Sequence, residues 1–338
     1  MKKVAKIIVG VIVGIGLVMA PATPWAAKTI KVRIASWDPP LVLTMDETNG
    51  NFGSSNSKAQ VFKSIVEKKS GGRIQVTIIP NGQIGGDKDA FEMMQSGALD
   101  MSTYPGSIIG NFVPECLTYQ IPYLFRDHTV ANQVMDGPFG DELRALVLKR
   151  TGVRILRWGT ETFMNYMTSG VPIKVPADLK GKKIRTRSMS NDIEMTNILG
   201  ASATPIPYGE LYMALQQGVV DGALTLIPTV EMFKLDQGLK YICDADLVYL
   251  VGVIAASEKF WQKLSPLDKE LVTDAANLFG ESLKKKGVTI YTATQEDREL
   301  WKNAVKEPMI QWTRKKIGDV WVDKALKAVA DVEKKLAQ

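Results

Sequence analysis

Few residues of this sequence could carry acid–base, nucleophilic or metal chemistry. His128 is the single histidine and stands in a polar segment, Arg126-Asp127-His128-Thr129, so a Ser-His-Asp triad would have to depend on it. The chain has no Cys-x-x-Cys, His-Glu-x-x-His, Gly-x-Ser-x-Gly or phosphate-loop pattern. No pair of acids stands in an apolar setting that would separate two carboxyl pKa values. The sequence therefore predicts a protein that is not an enzyme and has no metal or cofactor.

Polar and aromatic residues at the ends of predicted strands suggest binding chemistry instead, because ligands lie at strand ends in α/β sheets. Arg185 stands in the predicted strand 182–186, KKIRT, and its planar fork of donors matches a carboxylate. The alternative is an arginine that points into solvent. Tyr208 follows the extended Pro205-Ile206-Pro207 and could lay its ring against a ligand, although a core tyrosine fits the pattern equally well.

The first half of the chain alternates between strand and helix patterns. KTIKVRIAS alternates as a strand does and ends at Trp37-Asp38-Pro39-Pro40, and the short strand after Gly97 ends with Ser102, Thr103 and Tyr104. Helices are predicted between these strands, at 58–69 and 87–96. Such alternation is typical of an α/β fold with parallel or mixed sheets.

The second half continues the alternation and ends in long helices. The strand pattern at 153–169 is interpreted as the crossing into a second lobe. Ser257 is expected to cap one helix, and Ser265, Pro266 and Asp268 predict the start of the next. Helical patterns follow at 267–286 and 293–305. Two lobes are predicted, 28–162 with 251–290 and 163–250 with 291–338, because roughly 310 residues exceed what one core usually serves.

The N-terminus predicts export. A basic start is followed by the apolar run Ile7–Met19 and a small-residue zone to Ala27, the pattern of a signal peptide over 1–27 that is cleaved on export across the membrane. This run of 13 residues is shorter than the roughly 20 that a membrane-spanning helix needs. An uncleaved anchor is the alternative.

Charge and cysteine content narrow the partner class. The formal charge is +6 with the three lysines of the N-terminal region included, a balance that suits a small anion and does not call for nucleic acid. Cys116 and Cys243 stand in apolar segments. They are predicted to be buried free thiols rather than a disulfide.

Three separated motifs resemble one family. The stretches IIPNGQIGGDKDAFEMMQSGALDM (78–101), LKGKKIRT (179–186) and GASATPIPYGELYMALQQGVVDG (200–222) are similar to the solute-binding proteins of tripartite ATP-independent periplasmic (TRAP) transporters, of the C4-dicarboxylate-binding (DctP) type. The resemblance implies two α/β lobes that close on a ligand around crossing strands. It also implies delivery of that ligand to a membrane permease.

The resemblance also implies site residues. It places Arg185 on the ligand carboxylate and Tyr208 beside it, and it points to the loops at Trp37 and Tyr104. It further places Asn165 and Thr225 among the ligand-binding residues. Sialate-binding members carry an arginine at the position of Asn165 and an asparagine at that of Thr225, so these two residues argue against sialic acid.

Arg187, two residues beyond Arg185, is a candidate for a second positive contact on the same strand face, and a surface charge is the alternative. The ligand stays open between a keto, hydroxy or aromatic carboxylate and a C4-dicarboxylate. A ligand sensor and an exported hydrolase or lyase are the competing functions.

Overall fold

The computed structural model describes residues 29–36, 55–80, 82–159, 162–277 and 290–337. Its strands, in chain order, are β1 (Ile30–Ser36), β2 (Ile74–Ile79), β3 (Met101–Pro105), β4 (Val153–Gly159), β5 (Phe163–Thr168), β6 (Lys183–Thr186), β7 (Ser202–Pro205), β8 (Gly222–Leu226), β9 (Tyr241–Tyr249), β10 (Gly252–Ser257) and β11 (Ile290–Thr292). Its α-helices are α1 (Ser55–Lys69), α2 (Asp87–Ser96), α3 (His128–Met135), α4 (Pro138–Thr151), α5 (Ser190–Ile198), α6 (Leu211–Gln216), α7 (Ile227–Met232), α8 (Glu258–Trp261), α9 (Pro266–Asn277), α10 (Gln295–Ile317) and α11 (Asp319–Leu336).

The described strands form two mixed sheets. The first has the order β2-β1-β3-β10-β4, and the second has the order β11-β9-β5-β8-β6-β7. In the first sheet β1 is parallel to both neighbours and β10 is antiparallel to both of its own. In the second, β6 is parallel to β7 and β8, while β5 is antiparallel to β8 and β9.

Consecutive described strands change from one sheet to the other at three places: β4 to β5, β9 to β10, and β10 to β11. The strand pattern predicted at 153–169 is two strands, β4 in the first sheet and β5 in the second. The chain returns between β9 and β10, where Leu250 and Val251 are buried. Later in the chain, β10 of the first sheet is followed by β11 of the second. A relative movement of the sheets would have to be absorbed by backbone at these crossings.

Each sheet is covered by apolar residues on both faces. Val32 and Ile34 of β1 pack with α1 and α9, whereas Ala35 belongs to the cluster built around α2, α3 and α4. In β5, Met164 and Tyr166 pack on one side and Met167 on the other. Successive side chains of a strand point to opposite faces, which explains why all six residues of β5 are buried.

The two C-terminal helices pack against residues of both predicted lobes, whereas the predicted division placed them in one. Helix α10 extends to Ile317, and Gly318 separates it from α11. Val322, Ala325 and Val329 of α11 belong to the same cluster as residues of α3 and α4, although the predicted division grouped 291–338 with the second lobe. The domain boundaries stay a prediction.

Two local expectations have different outcomes. Ser265 accepts a hydrogen bond from the backbone N–H of Asp268 at 3.2 Å, so it caps α9 as predicted. Ser257, which the pattern also favoured as a cap, stands before α8 but forms no side-chain cap bond.

Cys116 and Cys243 are both buried and free. The predicted signal peptide lies outside the described residues, in which no helix is long and apolar enough to cross a membrane.

Candidate ligand-binding site

Two polar contacts join the segments that follow β3 and β6 and thereby link the two sheets. Arg187 Nη1 donates to Ser107 Oγ at 2.5 Å, and Asn111 Nδ2 donates to the carbonyl of Ser188 at 3.2 Å. Ser107 and Asn111 lie on the 3-10 turn Gly106–Asn111 directly after β3. The ends of β3 and β6 therefore face one another across a cleft, and the predicted site residues can be placed relative to it.

Arg185 is buried on β6 with only 2% of its surface exposed. Its Nε donates to the carbonyl of Ile206 at 2.9 Å, and its guanidinium carbon lies 5.0 Å from the centroid of the Tyr208 ring. No carboxylate of the described residues lies within ion-pair distance of it. Burial lowers the pKa of Arg185 to about 10, because desolvation disfavours the charged form. The alternative of an arginine that points into solvent is thereby excluded, and the contact of Arg185 with a ligand stays a prediction.

Tyr208 and Thr225 lie beside Arg185. The Tyr208 hydroxyl is 3.5 Å from Thr225 Oγ1, which in turn is 3.1 Å from Thr229 Oγ1. The Tyr208 ring also packs edge-on against Phe233, with centroids 4.4 Å apart. A partly buried aromatic face and a hydroxyl pair thus border the guanidinium, so the structure brings these three predicted residues together.

Arg187 lies past the end of β6 rather than on the strand face predicted for it. Its Nε and Nη2 bind the two carboxylate oxygens of Asp192 at 2.7 and 2.8 Å, and its third nitrogen binds Ser107. Asp192 is 1% exposed. These three bonds leave a second N–H on each of the two terminal nitrogens. A direct ligand contact by Arg187 stays a prediction.

Asn165 is committed to the backbone of β9. Its side-chain oxygen accepts hydrogen bonds from the N–H groups of Ala245 and Asp246, both at 2.9 Å, and its amide donates to Asp244 at 3.3 Å. The pairing of β5 with β9 is interrupted at this point. Asn165 therefore satisfies backbone groups that the interrupted ladder leaves free, and its predicted contact with a ligand stays untested.

Tyr104 is buried on β3, and its hydroxyl has no hydrogen-bond partner. Its ring meets Phe91 of α2 edge-on, with centroids 6.1 Å apart. That absence of a partner holds for the described residues, and a contact of Tyr104 with a ligand stays a prediction. Trp37, the other residue predicted on this side, lies outside the described residues.

Sequence reasoning missed Asp87, the first residue of α2. Asp87 is partly buried and lines a cavity with Ser36, at the carboxyl end of β1, and with Ser102 of the neighbouring β3. Burial raises the pKa of Asp87 to about 6, and the positive charges of Arg187 and Arg185 oppose that rise. The available signal was its position in the motif at 78–101, but a first-turn aspartate has an ordinary structural explanation in the helix dipole.

Asp87 should make the stability of the ligand-free protein depend on pH. A folded-state pKa near 6 exceeds the unfolded value of roughly 3.9, so ionisation destabilises the folded state as pH rises through 6. We expect Asp87→Asn to raise the melting temperature at pH 7.5 and to lose that advantage at pH 4.5. Thermal unfolding at both pH values tests this. Glu92→Gln, at an exposed position further along the same helix, should show no comparable change in melting temperature. An unchanged melting temperature of Asp87→Asn at pH 7.5 would contradict the prediction.

Comparisons with known proteins show the family to which this chain belongs. The model of bacterial extracellular solute-binding proteins, family 7 (DctP), matches residues 54–315. The chain belongs to this family. A solute-binding protein of Verminephrobacter eiseniae is 33% identical over 215 residues, which are 64% of this chain and 64% of that protein, just under two thirds of its length.

Solved structures of TRAP solute-binding proteins share the DctP-family fold of this chain. The sugar acid binding protein DctPAm of Advenella mimigardefordensis, in complex with galactonate, has a TM-score of 0.79 and 25% identity, and the match covers 90% of this chain and 99% of that one. A TRAP periplasmic solute-binding protein of Bradyrhizobium, in complex with galacturonate, has a TM-score of 0.76 and 28% identity, with coverages of 89% and 99%. The predicted family and the two-lobed α/β fold are confirmed.

Proposed function

We propose that this protein is the extracytoplasmic solute-binding subunit of a TRAP transporter, which captures a small organic acid on Arg185 and delivers it to the membrane permease. The observation that carries this proposal is the burial of Arg185 without a carboxylate partner among the described residues. Membership of the DctP family supports the same function. The predicted signal peptide over 1–27 supports a periplasmic location.

The chemistry of Arg185 favours a carboxylate ligand. Burying a guanidinium without a counter-ion costs free energy, as the lowered pKa of Arg185 shows. A ligand carboxylate that meets the two terminal nitrogens would compensate the charge and form two charge-assisted hydrogen bonds. The binding free energy therefore comes partly from relief of a cost that the ligand-free protein already carries.

Closure of the two lobes would complete the site. The contacts of Arg187 with Ser107 and of Asn111 with Ser188 connect opposite sides of the cleft. Such contacts exist only when the sides are close together. We infer that ligand capture and formation of these contacts stabilise the same closed arrangement, which would then be the form that docks on the permease.

Binding without catalysis is part of the proposal. Arg185, Tyr208 and Thr225 supply hydrogen bonds and an aromatic face but no general base beside a nucleophile. The described residues contain no group of three or more histidine, cysteine or acidic side chains that could hold a metal ion. Mass spectrometry after incubation with a bound acid should recover the acid unchanged. Conversion of the acid to a product would favour the exported hydrolase or lyase.

A transport assay with a labelled organic acid tests the proposed function. Purified protein, with the permease reconstituted in liposomes, should be required for uptake of a labelled organic acid that the protein binds. The acid is first found by thermal shift, because a ligand at about 100 times its Kd adds about 2.7 kcal/mol of stability. Binding without any stimulation of uptake would favour the sensor, which shares the binding site but not the permease.

A further inference from the structure

One end of the second sheet lies away from the cleft. β6, β7, β8 and β9 begin at this end and β5 finishes there, because β6 is parallel to β7 and β8 while β5 is antiparallel to β8 and β9. Ser169 N–H donates to the carbonyl of Asp221 at 2.9 Å, and Asp221 N–H donates to that of Lys183 at 2.8 Å. Arg187 and the cleft lie beyond the other end of β6. We call the surface formed by residues 169–183, 218–222 and 238–242 the distal end.

Exposed apolar side chains are concentrated at the distal end. Eight large apolar side chains are exposed in the described part of the chain, and three of them, Val171, Val219 and Tyr241, stand in the distal end. A fourth, Met213, lies on α6, the helix that leads into Val219. Tyr241 pairs with Thr168, whose hydroxyl donates to the carbonyl of Val171. Single exposed apolar residues are ordinary, whereas several in one place indicate a contact surface.

Lysines surround these apolar side chains. The charged residues of the distal end are five lysines and two aspartates: Lys174, Lys180, Lys182, Lys183, Lys240, Asp178 and Asp221. The side chains of Lys180, Lys182 and Lys183 form no ion pair with the described residues. The Asp178 carboxylate accepts hydrogen bonds from two backbone N–H groups at 2.8 and 3.0 Å, and that of Asp221 from one at 2.7 Å. The distal end is therefore positive, and its lysine ammonium groups face solvent.

We propose that the distal end binds the surface of an anionic phospholipid membrane. Lipid phosphates meet the lysine ammonium groups, while Val171, Val219 and Tyr241 enter the layer between headgroups and acyl chains. Each lysine close to an anionic leaflet adds to the attraction, and tyrosine is enriched at the boundary between membrane and water. Because the cleft lies at the opposite end of β6, it stays open to the ligand. The contact keeps the exported protein beside the membrane that holds its permease.

Proteins are the other occupants that a basic, apolar surface attracts. A second copy of this chain is disfavoured, because a symmetric contact would place the lysines of one distal end against those of the other. An acidic protein segment is best bound by arginine, whose planar fork matches a carboxylate, and the distal end contains lysine but no arginine. Lysine carries a point charge on a flexible apolar stem, which suits phosphates in no fixed arrangement. The composition therefore favours lipid.

Sedimentation with vesicles tests the membrane contact, using exported protein that mass spectrometry shows to lack the predicted signal peptide. Vesicles of phosphatidylglycerol mixed with phosphatidylcholine should bind it about tenfold or more tightly than phosphatidylcholine alone. About 1 M salt should remove that difference, since it shortens the Debye length to about 3 Å. Lys180→Gln with Lys182→Gln and Lys183→Gln should lower the partition coefficient for the anionic vesicles by about tenfold or more. Val171→Ser with Val219→Ser should also lower it, because apolar burial adds to the electrostatic attraction.

The matched control removes the same charge elsewhere. Lys68→Gln with Lys69→Gln and Lys149→Gln changes three exposed lysines of α1 and α4 and should bind the anionic vesicles as tightly as the wild-type protein. Equal binding of the wild-type protein to both kinds of vesicle, or an equal loss in the two triple variants, would overturn the membrane contact. So would reduced permease-dependent uptake by the distal-end variant without any vesicle binding, a result that assigns the distal end to a protein partner. Calorimetry with an organic acid should give both triple variants wild-type affinity, so failure of the membrane contact leaves capture by Arg185 standing.

Discussion

Replacing Arg185 with alanine is expected to weaken binding of an organic acid by at least tenfold while the fold is retained. Removing one partner of a buried, hydrogen-bonded charge pair costs about 2–5 kcal/mol, which corresponds to about 30-fold or more in Kd. The ligand-free protein loses little, because Arg185 has no carboxylate partner among the described residues and forms one hydrogen bond, to Ile206. The affinity of Arg185→Lys for the acid should lie between those of the wild-type protein and of Arg185→Ala, since lysine keeps the charge but not the planar fork.

Isothermal calorimetry with an acid found by thermal shift measures this effect. The matched control is Arg150→Ala, because Arg150 is more exposed and forms a two-bond pair with Glu115 away from the described cleft residues. Arg150→Ala should bind the acid with unchanged affinity. Wild-type affinity in a folded Arg185→Ala protein would remove Arg185 from the site.

Asp192→Ala is expected to destabilise the folded protein by about 3–5 kcal/mol, the usual effect of removing one partner of a buried ion pair. Asp192 is almost fully buried, and the Arg187 side chain keeps only 11% of its surface exposed. Without Asp192 the guanidinium of Arg187 would lose two hydrogen bonds at 2.7 and 2.8 Å. Its contact with Ser107 would then be the remaining one.

Chemical denaturation of the ligand-free protein gives the free energy of unfolding of Asp192→Ala. Asp141→Ala is the control, because Asp141 is exposed and pairs with Arg144 on the surface of α4, where such pairs contribute about 0–1 kcal/mol. The double variant Arg187→Met with Asp192→Leu should recover much of the lost stability, since neither charge is then left buried alone. If Asp192→Ala lowers the free energy of unfolding by less than about 1 kcal/mol, the buried Arg187 does not need Asp192 for the stability of the fold.

Much of the fold could be predicted from local pattern. The alternation in KTIKVRIAS corresponds to β1, and the helix expected at 87–96 is α2 with the same bounds. These elements form where neighbouring residues decide the conformation: apolar residues at a period of two or about 3.6, and glycine at the left-handed helix end, as in Gly97 with φ 80°. The family likeness of three motifs then supplied the arrangement of the lobes.

The partners of the site residues could not be predicted, because they depend on contacts between distant parts of the chain. Arg187 meets Ser107, which is 80 positions away, and Asn165 meets the backbone of β9 about as far along the chain. A pattern that marks a polar residue does not say whether another residue already satisfies it. For that reason Arg187 and Asn165 looked available for a ligand, and Asp87 looked like an ordinary start of a helix.

The sequence by itself determined the class of this protein: the residues of its strands and helices, the single histidine that disfavours hydrolytic chemistry, and the motif that contains Arg185. Only the tertiary structure decided which charges remain uncompensated. Arg185 and Arg187 are two positions apart, yet packing beside α5 pairs Arg187 with Asp192, while Arg185 is buried with no carboxylate partner in the part of the chain that the structure describes. Electrostatic energy depends on distance and burial in space, and spacing along the chain specifies neither.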